Sequence, residues 1–373
     1  MALLSATAVA VVMLAGGASG IASPAIASPT HRSPTALPDV GHVFVINLEN
    51  KGYASTFGPG SSAPYLSGQL RNEGALLTQY FGTAHASLPN YIGQISGQGP
   101  NLATQSDCPI FGDFFNIGTV PPEQAVGMGC VYPSSVRTLP DQLAAKGLSW
   151  HGYLEDMANS ATEPATCRHP GLNTIDNTQK ARVGDQYAAR HNPFVYFHSI
   201  IDSPSCQTNN VALDRLPADL SAVATTPNYS MITPNLCHDG HDSPCVDGEP
   251  GGLVSADAFL QKWVPLIQAS PAFQKDGMLV VTFDESDSPV ADASACCGEG
   301  PGPNALLPGI FGPGGGRVGA VVVSKFVKPG TTTDTPYNHY SLLASIEDLF
   351  ALPYLGYAAN VPHRLGRDVY TGS

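Results

Sequence analysis

Ser87 lies in the stretch HASLPNYIG, where an apolar run gives way to a helical pattern. The preceding residues GALLTQYFG are typical of a strand, and Pro89 is a residue that starts helices well. A serine at such a corner has two interpretations, because its hydroxyl can cap the helix or act as a nucleophile. These nine residues do not decide between the two, so the rest of the chain must.

Other polar side chains follow predicted strands in the same way. Glu49 and Asn50 follow HVFVINL, and Asp284 and Glu285 follow LVVTF. Each pair taken alone is typical of an ordinary turn or a solvated strand end. The loop CHDGHDSPC is more informative, because four imidazoles and carboxylates crowd into five residues. They are His238, Asp239, His241 and Asp242.

The elements that would position these residues alternate between strands and helices. Apolar runs rich in β-branched and aromatic residues predict strands in HVFVINL, ALLTQYF, SWHGYLE, PFVYFHSI, YSMITP, GMLVVTFDE and VGAVVVS. Helical patterns occupy APYLSGQLRNEG, PNYIGQISG, TLPDQLAAKG, DRLPADLSAV, SADAFLQKWVPLIQ and YNHYSLLASIEDLFAL. This alternation predicts an α/β fold, with a mainly parallel sheet and helices on both faces. Loops beyond the carboxyl ends of such strands share one edge, so the polar residues, with His85 and His339, should meet there.

Together these residue types favour phosphoryl transfer. Carboxylate and amide oxygens suit a hard divalent cation such as Mg²⁺, Mn²⁺ or Ca²⁺. A cation beside Ser87 would stabilise its alkoxide, and the helix that starts at Pro89 would direct free N–H groups at a bound anion. We therefore expect a phosphoserine intermediate.

The chain resembles the bacterial phosphoesterase family of secreted acid phosphatases and phospholipases C, a branch of the alkaline phosphatase superfamily. The matching stretches run from about His42 to Asn360 and comprise NLENKGY, HASLPNY, PNLCHDGHD, VVTFDESD and NHYSLLASIEDLFALPYLGYAAN. The order Ser-x-Pro-Asn is also similar to the Thr-x-Pro-Asn nucleophile segment of nucleotide pyrophosphatases in that superfamily. The resemblance implies an alkaline-phosphatase-like three-layer sandwich. Its motifs are specific to the family and not to a substrate.

The resemblance also implies a role for each matching residue. One divalent metal ion would be held by Glu49, Asn50, Ser87, Asp284 and Glu285. Histidines that contact the phosphate or protonate the leaving group would be His85, His241 and His339. Close relatives often have Asp-Asp where this chain has Asp284-Glu285, so Glu285 is the least secure ligand. The residue after Asp284 is not histidine, which favours one metal ion over two.

Composition divides the 373 residues into three parts. Residues 1–27 carry no charged side chain and an apolar run that ends in Ala-Ile-Ala, which is typical of a signal peptide. A membrane anchor is the alternative, but Gly16 and Gly17 interrupt the short run. Residues 28–39 form a proline-rich lead-in that we expect to be mobile, and residues 40–373 a single phosphoesterase domain. We expect a secreted or extracytoplasmic protein without stable membrane insertion.

The charge and the cysteines narrow the class of protein. A formal net charge of −13 without a basic run disfavours nucleic acid as a partner. Eight cysteines in an exported chain indicate disulfides and leave the pairing open. Cys237 and Cys245 could close the His/Asp-rich loop, whereas the adjacent Cys296 and Cys297 could each pair elsewhere.

Residues 298–316 are glycine-rich but lack the ending of a phosphate-binding loop, so we expect a surface loop that flanks the site.

These observations favour an exported metal-dependent acid phosphatase that hydrolyses phosphate monoesters. Its substrate would be a small phosphate ester or a phospholipid head group. One alternative is a phosphodiesterase of phospholipase C type, since the motifs do not report whether a second ester substituent fits. Another is a non-catalytic binding protein on the same fold, which the presence of Ser87 and both acidic pairs disfavours.

Overall fold

A mixed eight-stranded sheet forms the centre of the protein in a computed structural model that describes residues 37–372. The strands, in chain order, are β1 His42–Leu48, β2 Ala75–Leu77, β3 Tyr80–Phe81, β4 Ile110–Phe111, β5 Phe115–Val120, β6 Gln124–Met128, β7 Trp150–Leu154, β8 Thr174–Ile175, β9 Asn210–Ala212, β10 Tyr229–Thr233, β11 Gly277–Phe283, β12 Ala320–Ser324, β13 Thr331–Thr333 and β14 Tyr337–Asn338. Every residue of β1 and β11 is buried, as their continuous apolar sequences predict for strands covered on both faces.

The central sheet has the strand order β13-β2-β12-β11-β1-β10-β7-β9. Its core of β11, β1, β10, β7 and β9 is parallel throughout. Strand β12 runs antiparallel to both of its neighbours, β11 and β2. The prediction of an α/β fold with a mainly parallel sheet is therefore confirmed.

The longest helices fall into two packed groups. The helices are α1 Tyr53–Phe57, α2 Arg71–Glu73, α3 Ser87–Ser96, α4 Leu139–Ala145, α5 His198–Ile201, α6 Pro204–Asn209, α7 Leu216–Asp219, α8 Gly252–Ala269, α9 Pro271–Asp276 and α10 His339–Leu349, with a π-helical segment at Tyr65–Leu70 and 3₁₀ turns at Thr104–Ser106, Ala189–His191, Pro193–Tyr196, Leu213–Arg215 and Gly356–Asn360. Helix α3 packs on α4 and α10, whereas α8 packs on α9 and the π-helical segment. On α8 the buried Leu260, Trp263, Val264 and Ile267 follow helical spacing and hold it to the core.

Two predicted strands were wrong in whole or in part. PFVYFHSI forms the 3₁₀ turn Pro193–Tyr196 and then helix α5, because a short buried apolar run has the same pattern in a strand and in a helix. ALLTQYF divides into β2, in the central sheet, and β3, which pairs with β14 just before His339. This division brings the segment that leads to Ser87 beside the start of α10.

All eight cysteines are paired. The disulfides are Cys108–Cys130, Cys167–Cys206, Cys237–Cys245 and Cys296–Cys297. The predicted closure of the His/Asp-rich loop is confirmed. The alternative left open for Cys296 and Cys297, that each pairs elsewhere, is wrong, because the other six cysteines pair among themselves and these two pair with each other.

The described residues from Leu37 onward form one compact unit. The predicted signal peptide, residues 1–27, lies outside the described residues, and so do residues 28–36 of the predicted lead-in. Among the described helices, none combines the length and the apolar character that a bilayer crossing requires.

Candidate active site

Three loops meet where the parallel strands end. The N–H of Asp284, just after β11, donates to the carbonyl oxygen of Leu48 at 2.9 Å. The N–H of Glu49, just after β1, donates to the carbonyl oxygen of Asp239 at 2.8 Å. Backbone hydrogen bonds therefore fix the two acidic segments and the His/Asp-rich loop at one edge of the sheet.

Ser87 is the first residue of α3, and its hydroxyl does not cap that helix. The N-cap position belongs to Ala86, and no side chain caps it. The buried Ser87 Oγ instead donates a hydrogen bond to Glu49 Oε1. The helix-cap interpretation of this serine is therefore wrong for this structure, and the hydroxyl faces the acidic cluster.

The asparagine of the Ser-x-Pro-Asn order, Asn90, has a structural role in the loop before Ser87. Its side-chain oxygen accepts from the N–H groups of Thr83 and Ala84 at 2.8 and 2.9 Å. Its amide nitrogen donates to the carbonyl oxygens of Ala84 and Ala86. Asn90 thus holds the loop that presents Ser87. At Gly82 a Cβ would lie 2.5 Å from the carbonyl oxygen of Asp284, so the same loop packs directly on the second acidic segment.

The carboxylates of Glu49 and Asp284 are fully buried beside Ser87. Asp284 Oδ1 accepts from the N–H groups of Asn50 and Glu285 at 3.0 and 2.6 Å, whereas Asp284 Oδ2 has no hydrogen-bond partner. The side chain of Asn50 donates to Glu49 Oε1 at 3.1 Å. Burial, and then the negative charge of Glu49, raises the pKa of Asp284 well above its ordinary value.

This cluster fits a divalent cation. Two carboxylates, an amide and a hydroxyl form a set of oxygen donors that a hard cation prefers. An unpartnered buried carboxylate oxygen is costly, and a cation held by Asp284 and Glu49 would remove that cost. Glu285 is directed elsewhere, because its Oε2 lies 2.6 Å from His85 Nδ1.

His191 is a site residue that sequence reasoning missed. Its Nε2 lies 3.4 Å from Glu49 Oε1, and its Nδ1 lies 3.0 Å from Asp239 Oδ2. The ring stacks on Tyr91, with centroids 5.2 Å apart, and Tyr91 in turn donates to Glu49 Oε2. The sequence feature that could have identified His191 is the polar pair Arg190-His191, because only 13% of the residues in this chain are charged.

Glu49 and His191 stabilise each other as an ion pair. Burial alone would raise the pKa of Glu49, but the nearby His191, and then His241, outweigh it and hold this pKa well below its ordinary value. Burial likewise opposes charge on His191, yet Glu49 and Asp239 raise the pKa of His191 to about 9. A carboxylate at Glu49 is therefore the acceptor of the Ser87 hydrogen bond.

The three histidines predicted for the site differ in accessibility. His85 is buried between Glu285 and the carbonyl oxygen of Asp292. His339 is also buried, with Nε2 at 2.6 Å from the carbonyl oxygen of Asp284 and Nδ1 at 3.1 Å from the Tyr80 hydroxyl. Burial lowers the pKa of His339 to about 4. His339 is thus neutral and enclosed in this structure, a geometry that does not suit an imidazolium acid.

His241 is the one of the three that reaches solvent, with its side chain 34% exposed. Its Nδ1 lies 2.7 Å from Asp242 Oδ1, and its N–H donates to Asp239 Oδ1 at 2.7 Å. The guanidinium of Arg190 lies 3.4 Å from His241 Nε2. Asp242 and Arg190 therefore fix the orientation of a ring at the rim of the cluster.

Two further expectations concern the surroundings of Ser87. The expected row of free N–H groups at the start of α3 is reduced, because the Leu88 N–H donates to Asp107 Oδ1 at 2.9 Å and Pro89 has none. The glycine-rich stretch 298–316 does flank the site, since the carbonyl oxygen of Pro308 accepts from the His85 N–H at 3.1 Å.

A model of the Phosphoesterase family matches residues 60–353. The chain belongs to this family. Among curated relatives it is 26% identical to a probable acid phosphatase of Kluyveromyces lactis over 84% of this chain and 59% of that protein. It is 29% identical to a phosphate-repressible acid phosphatase of Penicillium chrysogenum over 77% of this chain and 55% of that one.

Coverage differs between the relatives. The chain spans less than three-fifths of those two fungal phosphatases. A phosphatidylinositol-3-phosphatase of Mycobacterium tuberculosis is 26% identical over 88% of this chain and 83% of that protein. Among solved structures, the chain is similar to a protein in the alkaline phosphatase superfamily from Vibrio parahaemolyticus, at 13% identity and a TM-score of 0.47 over 88% of this chain and 72% of that one.

Proposed function

We propose that this chain is an exported, metal-dependent phosphomonoesterase of acid phosphatase character that works through a phosphoserine intermediate. The observation that carries the proposal is the Ser87 hydroxyl, which donates to Glu49 in a buried acidic cluster where Asp284 keeps one oxygen without a partner. The family and its acid phosphatase relatives support the reaction class. Four disulfides support export.

Ser87 is the proposed nucleophile. Its Oγ forms a bond to phosphorus as the ester P–O bond breaks, and its proton is released to water, because the Glu49 carboxylate that accepts the Ser87 hydrogen bond is held ionised by His191. Water then hydrolyses the phosphoserine, which releases phosphate and restores the hydroxyl. Glu49, Asn50, Ser87 and Asp284 would hold a divalent cation, which would supply Lewis-acid stabilisation of the serine alkoxide.

His241 is the proposed proton donor to the leaving group. Of the three candidate histidines it is the one exposed at the rim of the cluster, and Asp242 fixes its ring. His85 and His339 act as positioning residues, because each is buried and contacts the second acidic segment. His191 holds Glu49 in its ionised form.

A substrate panel with and without chelator tests the function. We expect hydrolysis of p-nitrophenyl phosphate that prolonged EDTA treatment abolishes and a divalent ion restores. Preference for bis(p-nitrophenyl) phosphate or phosphorylcholine would instead identify a phosphodiesterase of phospholipase C type. Turnover of none of these, together with tight binding of inorganic phosphate, would identify a binding protein.

A further inference from the structure

Large apolar side chains are unusually exposed on one face of the protein. Among the described residues, ten of the eighteen exposed large apolar side chains fall within residues 102–128 and 306–311. Phe115 is 76% exposed and Leu306 is 78% exposed. A concentration of exposed apolar side chains is typical of an interaction surface in a folded protein. We call this surface the apolar platform and define it by Leu102, Phe115, Ile117, Met128, Leu306 and Leu307.

The apolar platform contains two clefts that share Leu102. One cleft of about 590 Å³ lies between Leu102 and the pair Leu306 and Leu307. The other, of about 280 Å³, is lined by Leu102, Ile117 and Met128. Phe115 lies directly opposite Met128 in the β5–β6 hairpin, so both project from the same face.

A fixed framework holds the platform together. The Asn304 amide nitrogen donates to the carbonyl oxygen of Ala125 at 2.7 Å, and its side-chain oxygen accepts from the Gly127 N–H at 2.8 Å. The side chain of Gln105 donates to the carbonyl oxygens of Leu307 and Pro308. The hairpin and the glycine-rich loop are therefore joined as one surface.

The platform is continuous with the candidate active site. The same Pro308 carbonyl oxygen accepts from the His85 N–H at 3.1 Å. Asp107, two residues after Gln105, accepts from the Leu88 N–H in the first turn of the helix that carries Ser87. These hydrogen bonds join the platform to the segments that carry His85 and Ser87.

The charge of the surface specifies the chemistry of its occupant. Residues 102–128 and 298–316 contain no Lys or Arg, and the whole chain carries a formal net charge of −13. Anionic head groups are therefore repelled, and binding must come from burial of apolar side chains. We infer that the apolar platform docks the protein on a zwitterionic lipid surface and seats acyl chains in the two clefts. Docking itself is independent of the proposed function, whereas its use to present a substrate to Ser87 rests on that function.

Vesicle co-sedimentation tests this inference with the full chain. We expect the protein to sediment with phosphatidylcholine vesicles, with an affinity that does not fall as the salt concentration rises. The double variant Phe115→Ser, Ile117→Ser should bind about tenfold more weakly or worse, because two large apolar side chains no longer enter the lipid. Val183→Ser is the matched control, since Val183 is 74% exposed but lies off the platform, and it should bind like the parent.

Three results would overturn the inference. They are the absence of sedimentation with phosphatidylcholine, binding restricted to phosphatidylglycerol and lost in salt, and a parent dimer that the double variant converts to monomer. Hydrolysis of p-nitrophenyl phosphate separates this inference from the proposed function. Equal rates in the parent and the double variant, with weaker vesicle binding by the variant, support both, whereas vesicle binding by a protein without phosphatase activity supports docking alone.

Discussion

At the scale of single residues, the surroundings of Ser87 separate a nucleophile from a helix cap. A cap would bond to N–H groups of its own helix, whereas Ser87 Oγ bonds to Glu49, 38 residues away. The Leu88 N–H at the start of the helix is satisfied by Asp107 instead. The helix does not need this hydroxyl, so its removal should affect chemistry far more than folding.

The first prediction concerns Ser87→Ala. We expect turnover of p-nitrophenyl phosphate to fall about 10³-fold or more, with a melting temperature close to that of the parent. Ser96→Ala is the matched control, because Ser96 is buried in the same helix and its hydroxyl donates to the Ile92 carbonyl oxygen one turn earlier. It should retain activity. Comparable activity in purified Ser87→Ala and Ser96→Ala would exclude Ser87 as the nucleophile.

The second prediction separates two histidines. His241→Gln should slow hydrolysis of alkyl phosphates about 10²–10⁴-fold and affect p-nitrophenyl phosphate much less, because that leaving group needs little protonation. His339→Asn should slow both substrates by the same factor, since His339 is buried against the backbone of Asp284. Steady-state rates on both substrates make the comparison. A selective loss with alkyl phosphates in His339→Asn alone would reverse the assignment.

Residue types alone showed part of this site. Glu49, Asn50, Asp284 and Ser87 follow strands or open a helix, and sequence position is enough to bring them to one edge. His191 could not be found this way, because it lies on a 3₁₀ turn rather than after a predicted strand. The burial of His339 was equally hidden, since a helix start does not reveal which side of it faces solvent.

At the scale of elements, helix α10 carries a buried acid that the proposed chemistry does not use. Glu347 is fully buried, and its Oε1 accepts from the Leu355 N–H at 2.9 Å while its Oε2 has no partner. Burial, and then the charge of Asp348, raises the pKa of Glu347 from 4.5 to about 9. The folded protein therefore favours protonated Glu347, and this group destabilises the fold as the pH rises from about 4.5 to about 9.

The third prediction follows for Glu347→Gln. The variant should match the parent in stability at pH 4 and exceed it at pH 7 by roughly 1–3 kcal/mol, because the amide never ionises. Chemical denaturation at both pH values measures the difference. A variant that is less stable than the parent at pH 7 would show that an ionised Glu347 contributes favourably.

Strands and helices were predictable where the sequence pattern fits only one type of secondary structure. The runs of β1 and β11 are long, apolar and β-branched, and both are strands. Residues 193–200 were misassigned because Pro193 opens a 3₁₀ turn in an equally apolar run. DRLPADLSAV likewise gives only a 3₁₀ turn and the four residues of α7, since its helical pattern is too short to sustain a longer helix.

At the scale of the whole molecule, metal binding and stability should be linked. A cation that binds the folded protein and not the unfolded chain stabilises the fold by about 2.7 kcal/mol at one hundred times its dissociation constant. The acidic cluster assembles only when β1, β11 and α3 come together, so the unfolded chain offers no such site. The wide sequence separation of Glu49, Ser87 and Asp284 makes this linkage specific to the native fold.

The fourth prediction uses Asp284→Asn. We expect Mn²⁺ or Mg²⁺ to raise the melting temperature of the chelator-treated parent by a few degrees and to leave that of the variant unchanged. Without metal, the variant should melt no lower than the parent, since burial and the charge of Glu49 disfavour ionisation of the Asp284 carboxyl that the variant removes. Asp276→Asn is the control, because Asp276 pairs with His42 at the opposite end of β1, and it should keep the metal response. An equal response in Asp284→Asn would place the cation elsewhere.

The most direct test of the central claim is to trap the covalent intermediate. Protein mixed with p-nitrophenyl phosphate is quenched in acid within the first turnovers, and a parallel sample is quenched in alkali to preserve any phosphohistidine. We expect peptide mass spectrometry to find phosphoserine at Ser87, and at no other position, in both the acid-quenched parent and the acid-quenched Ser96→Ala variant. Phosphate on a histidine, on another serine, or on no residue of an actively turning-over enzyme would contradict the assignment of Ser87 as the nucleophile.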